Sequence, residues 1–357
     1  MLLVTGGAGF IGSYFVNDWL KATPEPIVNV DKLTYAGNLQ NLTEAIQTER
    51  HYFIKGDIGD APVISSLLAK YRPRAVINFA AESHVDRSIH APDGFVQTNV
   101  LGTLRLLTAV LDYWRDLPDR QKQEFRFVHI STDEVYGSLG DDDPPFCEAS
   151  PYAPNSPYAA SKAGADHLVR AFHHTYGLPV VTTNCSNNYG PRQFPEKLIP
   201  LAIHRALDNR EIPVYGDGLN IRDWIYVGDH CSALRAVLAN GRPGAVYNIG
   251  GASEKSNIAV VNLICSILDA ERPRADRASY KDQIAFVTDR PGHDRRYAID
   301  AGRIQREVGW RPQETFETGL QKTIRWYLDN QQWVADVTTG AYRDWVALNY
   351  GERSHSA

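Results

Sequence analysis

The segment Gly6-Gly7-Ala8-Gly9-Phe10-Ile11-Gly12, directly behind the apolar run Leu2 to Thr5, constrains this chain more than any other stretch. It satisfies GxGxxG through Gly7, Gly9 and Gly12, and GxxGxxG through Gly6, Gly9 and Gly12. Glycine permits a tight strand-to-helix turn and lets backbone N–H groups approach a pyrophosphate at the helix N-terminus. Glycine triplets occur in many turns, so the strand–turn–helix context carries the reading. The second apolar run ends Val28-Asn29-Val30-Asp31. An acid there accepts hydrogen bonds from adenosine ribose hydroxyls and repels a 2′-phosphate, which favours NAD over NADP. Neighbouring Lys32 weakens that charge argument, and an acid that merely starts a surface turn is the bland alternative.

Further apolar runs at His51 to Ile54, Ala75 to Phe79, Phe125 to Ser131 and Pro179 to Asn184 predict strands, alongside Leu2 to Thr5 and Ile27 to Val30. Helix-like stretches lie between them at Ile11 to Leu20, Ala61 to Lys70, Phe95 to Trp114 and Pro157 to Tyr176. Such alternation indicates βαβ units and a parallel sheet. Beyond about residue 186 the elements become short and mixed, until Trp224 to Gly251 again reads as helix then strand (Val246 to Ile249). The expected fold class is α/β, a Rossmann-type doubly wound parallel sheet with a smaller mixed α/β substrate-binding lobe. The expected division is an NAD-binding domain over 1–186, rejoined by about 222–251, the second lobe over 187–221 and 252–350, and a flexible tail over 351–357.

Composition excludes several function classes. The 37 Lys+Arg against 42 Asp+Glu give a formal charge of only -5, without the basic footprint of a nucleic-acid binder or a membrane-docking patch. No uncharged apolar run approaches the ~18 residues of a bilayer span, and the N-terminus lacks the pattern of a secretory signal. The four cysteines stand 34 to 46 residues apart with no CxxC, so neither a disulfide framework nor a zinc site is expected. A reducing, cytoplasmic setting fits this usage, and no metal is expected.

The chemistry concentrates in Ser156-Pro157-Tyr158-Ala159-Ala160-Ser161-Lys162. Ser156 suits an N-cap and Pro157 the first helical position. Tyr158 and Lys162, four apart, then share a helix face. An ammonium near the phenol is expected to lower its pKa, making tyrosine a base for a hydroxyl whose carbon loses hydride. Ser131-Thr132-Asp133-Glu134 stands 24 to 27 residues upstream at another strand end, where ligands of open α/β sheets gather. Thr132, Tyr158 and Lys162 suffice for reversible alcohol oxidation by NAD. The carboxyls of Asp133 and Glu134 are surplus to it and suggest a second acid/base step; solvated loop charges are the plain alternative. Adjacent side chains on a strand face opposite ways, so this pair must lie in a turn beyond the strand.

From Gly6 to about Tyr350 the sequence resembles the dTDP-glucose 4,6-dehydratases of the extended short-chain dehydrogenase/reductase superfamily. The motifs are Thr5 to Gly12, Val30 to Asn38, Ala80 to Ser88, Ser131 to Gly137, Asn187 to Pro191, Phe194 to Pro200, Arg222 to Val227, Tyr247 to Gly251 and Asp289 to Tyr297, with Trp326 to Leu328 and Trp333 in the tail. The resemblance implies that Tyr158, with Lys162 and Thr132, helps hydride leave glucose C4 for NAD+. Glu134 then takes the C5 proton, Asp133 protonates the departing C6 hydroxyl, and hydride returns from transient NADH to C6. The implied product is a 4-keto-6-deoxy sugar, with NAD tightly held and regenerated each turnover.

By the same resemblance, the cofactor is held by Gly6, Gly9, Phe10, Ile11, Gly12, Asp31, Lys32, Leu33, Thr34, Asp57, Ile58, Ala80, Ala81, Thr98, Tyr158, Lys162 and Asn188. The nucleotide-sugar is held by Ser83, Thr132, Asn187, Lys197, Leu198, Pro213, Val214, Tyr215, Arg222, Asn257, Asp289, Arg290, Pro291, Gly292 and His293. Read alone, Asp57 is nearly as good a helix cap, and Arg222 could equally pair with Asp223 or another carboxylate. Cys185 reads as a packing residue, and His173-His174 as an exposed helix face. A nucleotide-sugar 4-epimerase shares Tyr, Lys and NAD but has no use for Asp133-Glu134. A UDP-glucose substrate and a silent NAD-binding regulator are the other rivals. The resemblance also implies a homodimer through Phe95 to Trp114 and Pro157 to Tyr176, whose apolar residues exceed one sheet-facing stripe.

Overall fold

The computed structural model describes residues 1–351, so the expected tail lies outside the described residues apart from Gly351. Its largest element is a seven-stranded sheet built from β1 (Leu2–Thr5), β2 (Ile27–Asp31), β3 (His51–Lys55), β4 (Ala75–Asn78), β5 (Arg126–Thr132), β6 (Val180–Cys185) and β10 (Val246–Ile249). The order is β10-β6-β5-β4-β1-β2-β3 and every pairing is parallel. Alternate residues of β1 explain its unbroken apolar run. Leu2 and Val4 enter a core with Phe15, Trp19 and Leu234 on one face, while Leu3 joins Ile64, Leu106 and Val110 on the other. The expected bounds shift by a residue at most strand ends; β5 runs on to Thr132 and β6 to Cys185.

Two small sheets complete the second lobe. β7 (Asn187–Tyr189), β9 (Ile221–Tyr226) and β11 (Glu254–Ser256) form a mixed sheet, and β8 (Ile212–Tyr215) pairs in parallel with β12 (Ile284–Val287). A third apolar core lies here among helices Leu198–Leu207, Asn257–Glu271 and Phe316–Asp329.

Local chemistry sets the helix ends near the site. The Ser156 side chain accepts from the Ala159 N–H (3.1 Å), Pro157 opens the helix Pro157–Tyr176, and Gly177 ends it in the left-handed region. The expected helix Phe95 to Trp114 is continuous from Pro92 to Arg115 but contains a π-helical stretch, Val96–Gly102. Within it Asn99 reaches Glu82 N (2.9 Å), Glu82 O (3.0 Å) and Ser161 Oγ (2.8 Å), tying three site segments together. Although Arg105 and Asp112 interrupt its apolar run, this helix is long and apolar enough to cross a membrane by length and composition. Half of its most apolar window is nevertheless buried inside the protein. It packs beside Pro157–Tyr176 as a core helix.

Candidate active site

The sheet order reverses at β1, between β2 and β4, which opens a crevice at the carboxyl ends of the strands. A cleft of about 290 Å³ lies there. Gly6 sits at φ +70°, and a Cβ on it would fall 2.6 Å from Ala80 N, so only glycine fits this turn. The helix Phe10–Ala22 begins at Gly9 without a side-chain cap, leaving its first N–H groups facing the glycine-lined cleft. Asp31 accepts from Ala8 N and Leu33 N, both at 2.8 Å, and still lines the cleft. Burial raises its carboxyl above the usual range, and those two N–H bonds oppose that. Lys32, which weakened the charge argument for NAD, is held by Asp57 at 2.7 Å. An uncapped helix end, a glycine turn and a fixed acid on β2 fit NAD.

Of the residues assigned to the cofactor, all but one line this cleft. The exception is Leu33. Its N–H turns back to Asp31, its φ is 56°, and its side chain packs into the core beneath. The cleft is instead completed by Ala36 and Gly37 of the same loop, and by Glu82, Gln193, Phe194 and Glu196. Asp57 does not cap a helix; Asp60 does, accepting from Val63 N (3.2 Å).

Thr132, Asp133, Glu134, Tyr158 and Lys162 all converge on the same cleft. Asp133 and Glu134 lie in a 3-10 turn, Asp133–Tyr136, directly beyond β5, which resolves the alternation problem. Thr132 Oγ1 accepts from Glu134 N and donates to Asp133 Oδ1, each at 3.3 Å. Asp133 Oδ2 is buried without a hydrogen-bond partner. Burial raises the Asp133 carboxyl well above the usual range, with Glu134 and Asp223 adding to the shift and Arg222 opposing it. Burial and Asp294 also raise the Glu134 carboxyl, and Arg290, Lys197 and Arg222 oppose that shift without cancelling it. Both carboxyls are thus held above their usual range, Asp133 with mainly anionic neighbours and Glu134 with mainly cationic ones.

Tyr158 corrects the expectation from spacing alone. Burial and then the Glu134 carboxylate push its phenol well above 10, while the Thr132 hydroxyl lowers it. Lys162 Nζ donates to Ile130 O at 2.8 Å. Burial lowers the lysine pKa, and Asp166, one helical turn further on, opposes that. A helix spacing of four puts both side chains on one face, but the ammonium's hydrogen bond goes to the strand carbonyl.

A second pocket of about 140 Å³ adjoins the cleft, sharing Glu134, Asn187, Asn188, Gln193, Glu196 and Lys197 with it. Leu198, Pro213, Val214, Tyr215, Arg222, Asn257, Arg290 and His293 line it as assigned, whereas Ser83 and Thr132 line the cleft. Arg222 does not pair with Asp223. It donates to Ile221 O (2.7 Å) and Asp294 O (2.9 Å) and lies 4.3 Å from the Tyr297 ring. Asp223 accepts instead from Gly251 N (3.1 Å) and Ser253 N (2.6 Å).

Asp289, Pro291 and Gly292 do not line the pocket. Gly292 has φ +64°, and Asp289 accepts from His293 Nδ1 (2.6 Å) and Arg290 N (2.7 Å), so these residues form the turn that aims Arg290 and His293 inward. Burial and then the nearby Arg290 and Arg222 lower the His293 pKa to about 4, leaving a neutral imidazole. His173 is half-buried, its Nδ1 2.8 Å from Leu178 O, and only His174 is exposed. Cys185 donates to Ser131 O (3.2 Å), and burial pushes its thiol up to about 12, the inert packing state expected. The signal for the unassigned Glu196 was present in the Phe194 to Pro200 motif, but nothing in a lone glutamate marks it as buried.

Parallel sheet, glycine turn and the Thr–Tyr–Lys set together define the NAD-dependent epimerase/dehydratase class. A family described as GDP-mannose 4,6 dehydratase matches residues 3–323. The dTDP-glucose 4,6-dehydratase of Xanthomonas campestris pv. campestris (strain B100) is 61% identical over 343 residues, covering 96% of this chain and 97% of that protein. The dTDP-glucose 4,6-dehydratase of Streptomyces venezuelae, solved with NAD and TYD bound, superposes with a TM-score of 0.86 at 46% identity, covering 94% and 99% of the two chains. The UDP-glucose 4-epimerase of Thermotoga maritima, solved with UDP-glucose, reaches 0.81 at only 27%, covering 92% and 99%. This chain belongs to the dTDP-glucose 4,6-dehydratase family.

Proposed function

We infer that the chain converts dTDP-glucose to dTDP-4-keto-6-deoxyglucose, a hydro-lyase reaction of deoxysugar biosynthesis. The observation that carries this reading is the adjacent carboxyl pair in the turn beyond β5, both lining the cleft, because loss of water needs one acid and one base while epimerisation needs neither. NAD supplies the hydride acceptor and donor, and a positive ring, in the cleft that Tyr158 lines. Tyr158 takes the proton of the C4 hydroxyl as its phenolate, a form that burial opposes and that Thr132 and the positive ring of bound NAD would favour. The new ketone acidifies C5–H, and Glu134, whose ionised form Arg290, Lys197 and Arg222 favour against burial, removes that proton. Asp133, whose acid form burial and the Glu134 carboxyl favour, delivers its proton to the C6 oxygen as water leaves. Lys197, Arg222 and Arg290 bring positive charge to a pocket suited to a diphosphate.

In this reading the NAD-binding unit is 1–186, rejoined by the helix Val227–Asn240 and β10 rather than from about 222, because β9 belongs to the mixed sheet; 187–226 and 252–350 form the nucleotide-sugar lobe. Support comes from β10 lying beside β6 in the large sheet. A homodimer through Pro92–Arg115 and Pro157–Tyr176 is supported by the outward apolar row of exposed Val96 with half-buried Val100, Leu104 and Leu168. Four unpaired cysteines support a reducing, cytoplasmic setting.

The test is NMR of dTDP-glucose with the purified protein in D2O and no added cofactor. A 4-keto-6-deoxy product deuterated at C5 is expected, faster than with UDP-glucose. Formation of dTDP-galactose would overturn the roles of Asp133 and Glu134.

A further inference from the structure

Glu196 lines both cavities, and its side chain is only 3% exposed. Arg87 answers it, Nε to Oε2 at 2.9 Å. The Arg87 guanidinium lies 3.8 Å from the Tyr35 ring and 4.3 Å from the Trp345 ring, a sandwich between the cofactor loop after β2 and the C-terminal helix Gly340–Gly351. Trp345 also meets His84 edge-on, with ring centroids 5.6 Å apart. Beside it, Tyr342 donates to Pro195 O (2.9 Å) and packs on Phe194.

A second anchor lies at the other end of the cleft. Trp333, on the helix Gln331–Val337, donates from Nε1 to Asn41 Oδ1 (2.9 Å), and Asn41 Nδ2 donates to Ala8 O in the glycine turn (2.9 Å). Segment 331–351 thus grips both the glycine turn and the 194–197 wall of the cofactor cleft. Arg87, Trp333, Tyr342 and Trp345 line neither cavity. The last three also lie beyond residues 3–323, the part matched by the broader family.

We propose that segment 331–351 is a strap that keeps NAD in its cleft between turnovers, latched through Trp345, Arg87 and Glu196. The proposal rests on the reading of that cleft as the NAD site. A cofactor returned to its starting state each cycle gains nothing from leaving. The strap holds shut the segment that forms the wall between cofactor and sugar. A stacked guanidinium suits this task because its planar face binds two rings while its edge holds the carboxylate.

The test uses the full-length protein purified with its bound NAD. Exchange against isotope-labelled NAD, followed by gel filtration and mass spectrometry, gives the release rate without reference to activity. Trp345→Ala and Arg87→Gln should each release NAD at least tenfold faster than wild type. The double variant should be no faster than the faster single, because both substitutions open one latch. Trp345→Phe, which keeps a ring, should recover most of the retention. Turnover without added NAD should decay in the two single variants and recover when NAD is supplied. Release within twofold of wild type in both singles would overturn the strap. Should Trp345→Ala fail to fold, Arg87→Lys decides, since it keeps the charge and loses the planar stack; wild-type release there overturns the proposal. A wild-type protein that binds no labelled NAD at any concentration would instead overturn the cleft reading itself.

Discussion

The cofactor cleft and the nucleotide-sugar pocket share a wall, yet they are made differently. The cleft is drawn mostly from strand ends and the turns that follow them, with glycines and backbone groups presented by an all-parallel sheet. The pocket is half the volume, about 140 Å³ against 290 Å³, and is assembled from side chains of many separated segments, from His84 to Tyr350. Its chemistry depends on charges: Lys197, Arg222 and Arg290 face Glu134. A site made of backbone belongs to the fold and serves many enzymes, whereas a site made of converging charges chooses the reaction. Asp133 and Glu134 sit where the two meet, so substitutions there should stop chemistry while leaving the cofactor in place.

Glu134→Gln is expected to have the largest effect. Removing a positioned base costs about 10²–10⁴-fold, so dehydration and C5 deuterium exchange should fall together by about 10³-fold. Bound NAD, quantified by chromatography of the denatured protein, should remain stoichiometric. Product formation within tenfold of wild type would remove Glu134 as the base. Asp133→Asn should cost about 10²-fold in product while C5 exchange persists, because the proton is lost before the C6 hydroxyl leaves. Burial and then Glu134 raise the Asp133 carboxyl well above its usual range. Wild-type kcat should therefore fall on the alkaline side as Asp133 loses its proton and on the acid side as Glu134 gains one, and the alkaline limb should vanish in the variant. An unchanged pH profile would assign the acid elsewhere.

The same contrast explains what sequence could reveal. Every assigned cofactor residue except Leu33 lines the cleft, because a strand, a glycine turn and an acid at fixed spacing leave the chain little choice. Leu33 came in with Asp31 to Thr34 through the family resemblance of the Val30 to Asn38 motif; the left-handed backbone at φ 56° turns its side chain to the core. The pocket was legible through motifs, and less completely. Asp289 and Gly292 belong to the correct motif but shape its turn, a division of labour that adjacent residues do not display until φ is known. Glu196, Arg87 and Trp345 meet across more than a hundred residues of chain in each case, and no local pattern records such a meeting. The phenol of Tyr158 was misjudged because helical spacing gives proximity to Lys162, not the burial that dominates.

Arg222→Met sharpens the comparison from the pocket side. The substitution keeps length and packing against Tyr297 while deleting a cation whose hydrogen bonds run to backbone carbonyls. A charge-assisted hydrogen bond contributes roughly 1.5–3 kcal/mol, so KM for dTDP-glucose should rise about 10–100-fold, with NAD content unchanged. A fall in kcat at unchanged KM would show Arg222 acting on the reaction rather than on the nucleotide.

The smallest effect expected is one of stability, and its size separates the two carboxyls. Asp133 holds its proton to higher pH in the folded protein than in the unfolded chain, where it ionises near ~3.9. Between those two values the native state binds the extra proton, so this group lowers stability as pH rises. Asparagine cannot ionise. Its Oδ1 can still accept from Thr132, and the other carboxyl oxygen, Oδ2, has no partner to lose. Asp133→Asn should therefore melt roughly 1–3 °C above wild type at pH 7–8, a difference of about 1 kcal/mol for a chain of this size. The gap should close towards pH 4, where both states hold the proton. Glu134→Gln should gain less, since removing that charge leaves Arg290, Lys197 and Arg222 without the anion they face. Equal melting of Asp133→Asn and wild type from pH 4 to 8 would mean that burial does not hold the Asp133 carboxyl above its usual range, and its role as the acid would lose its support.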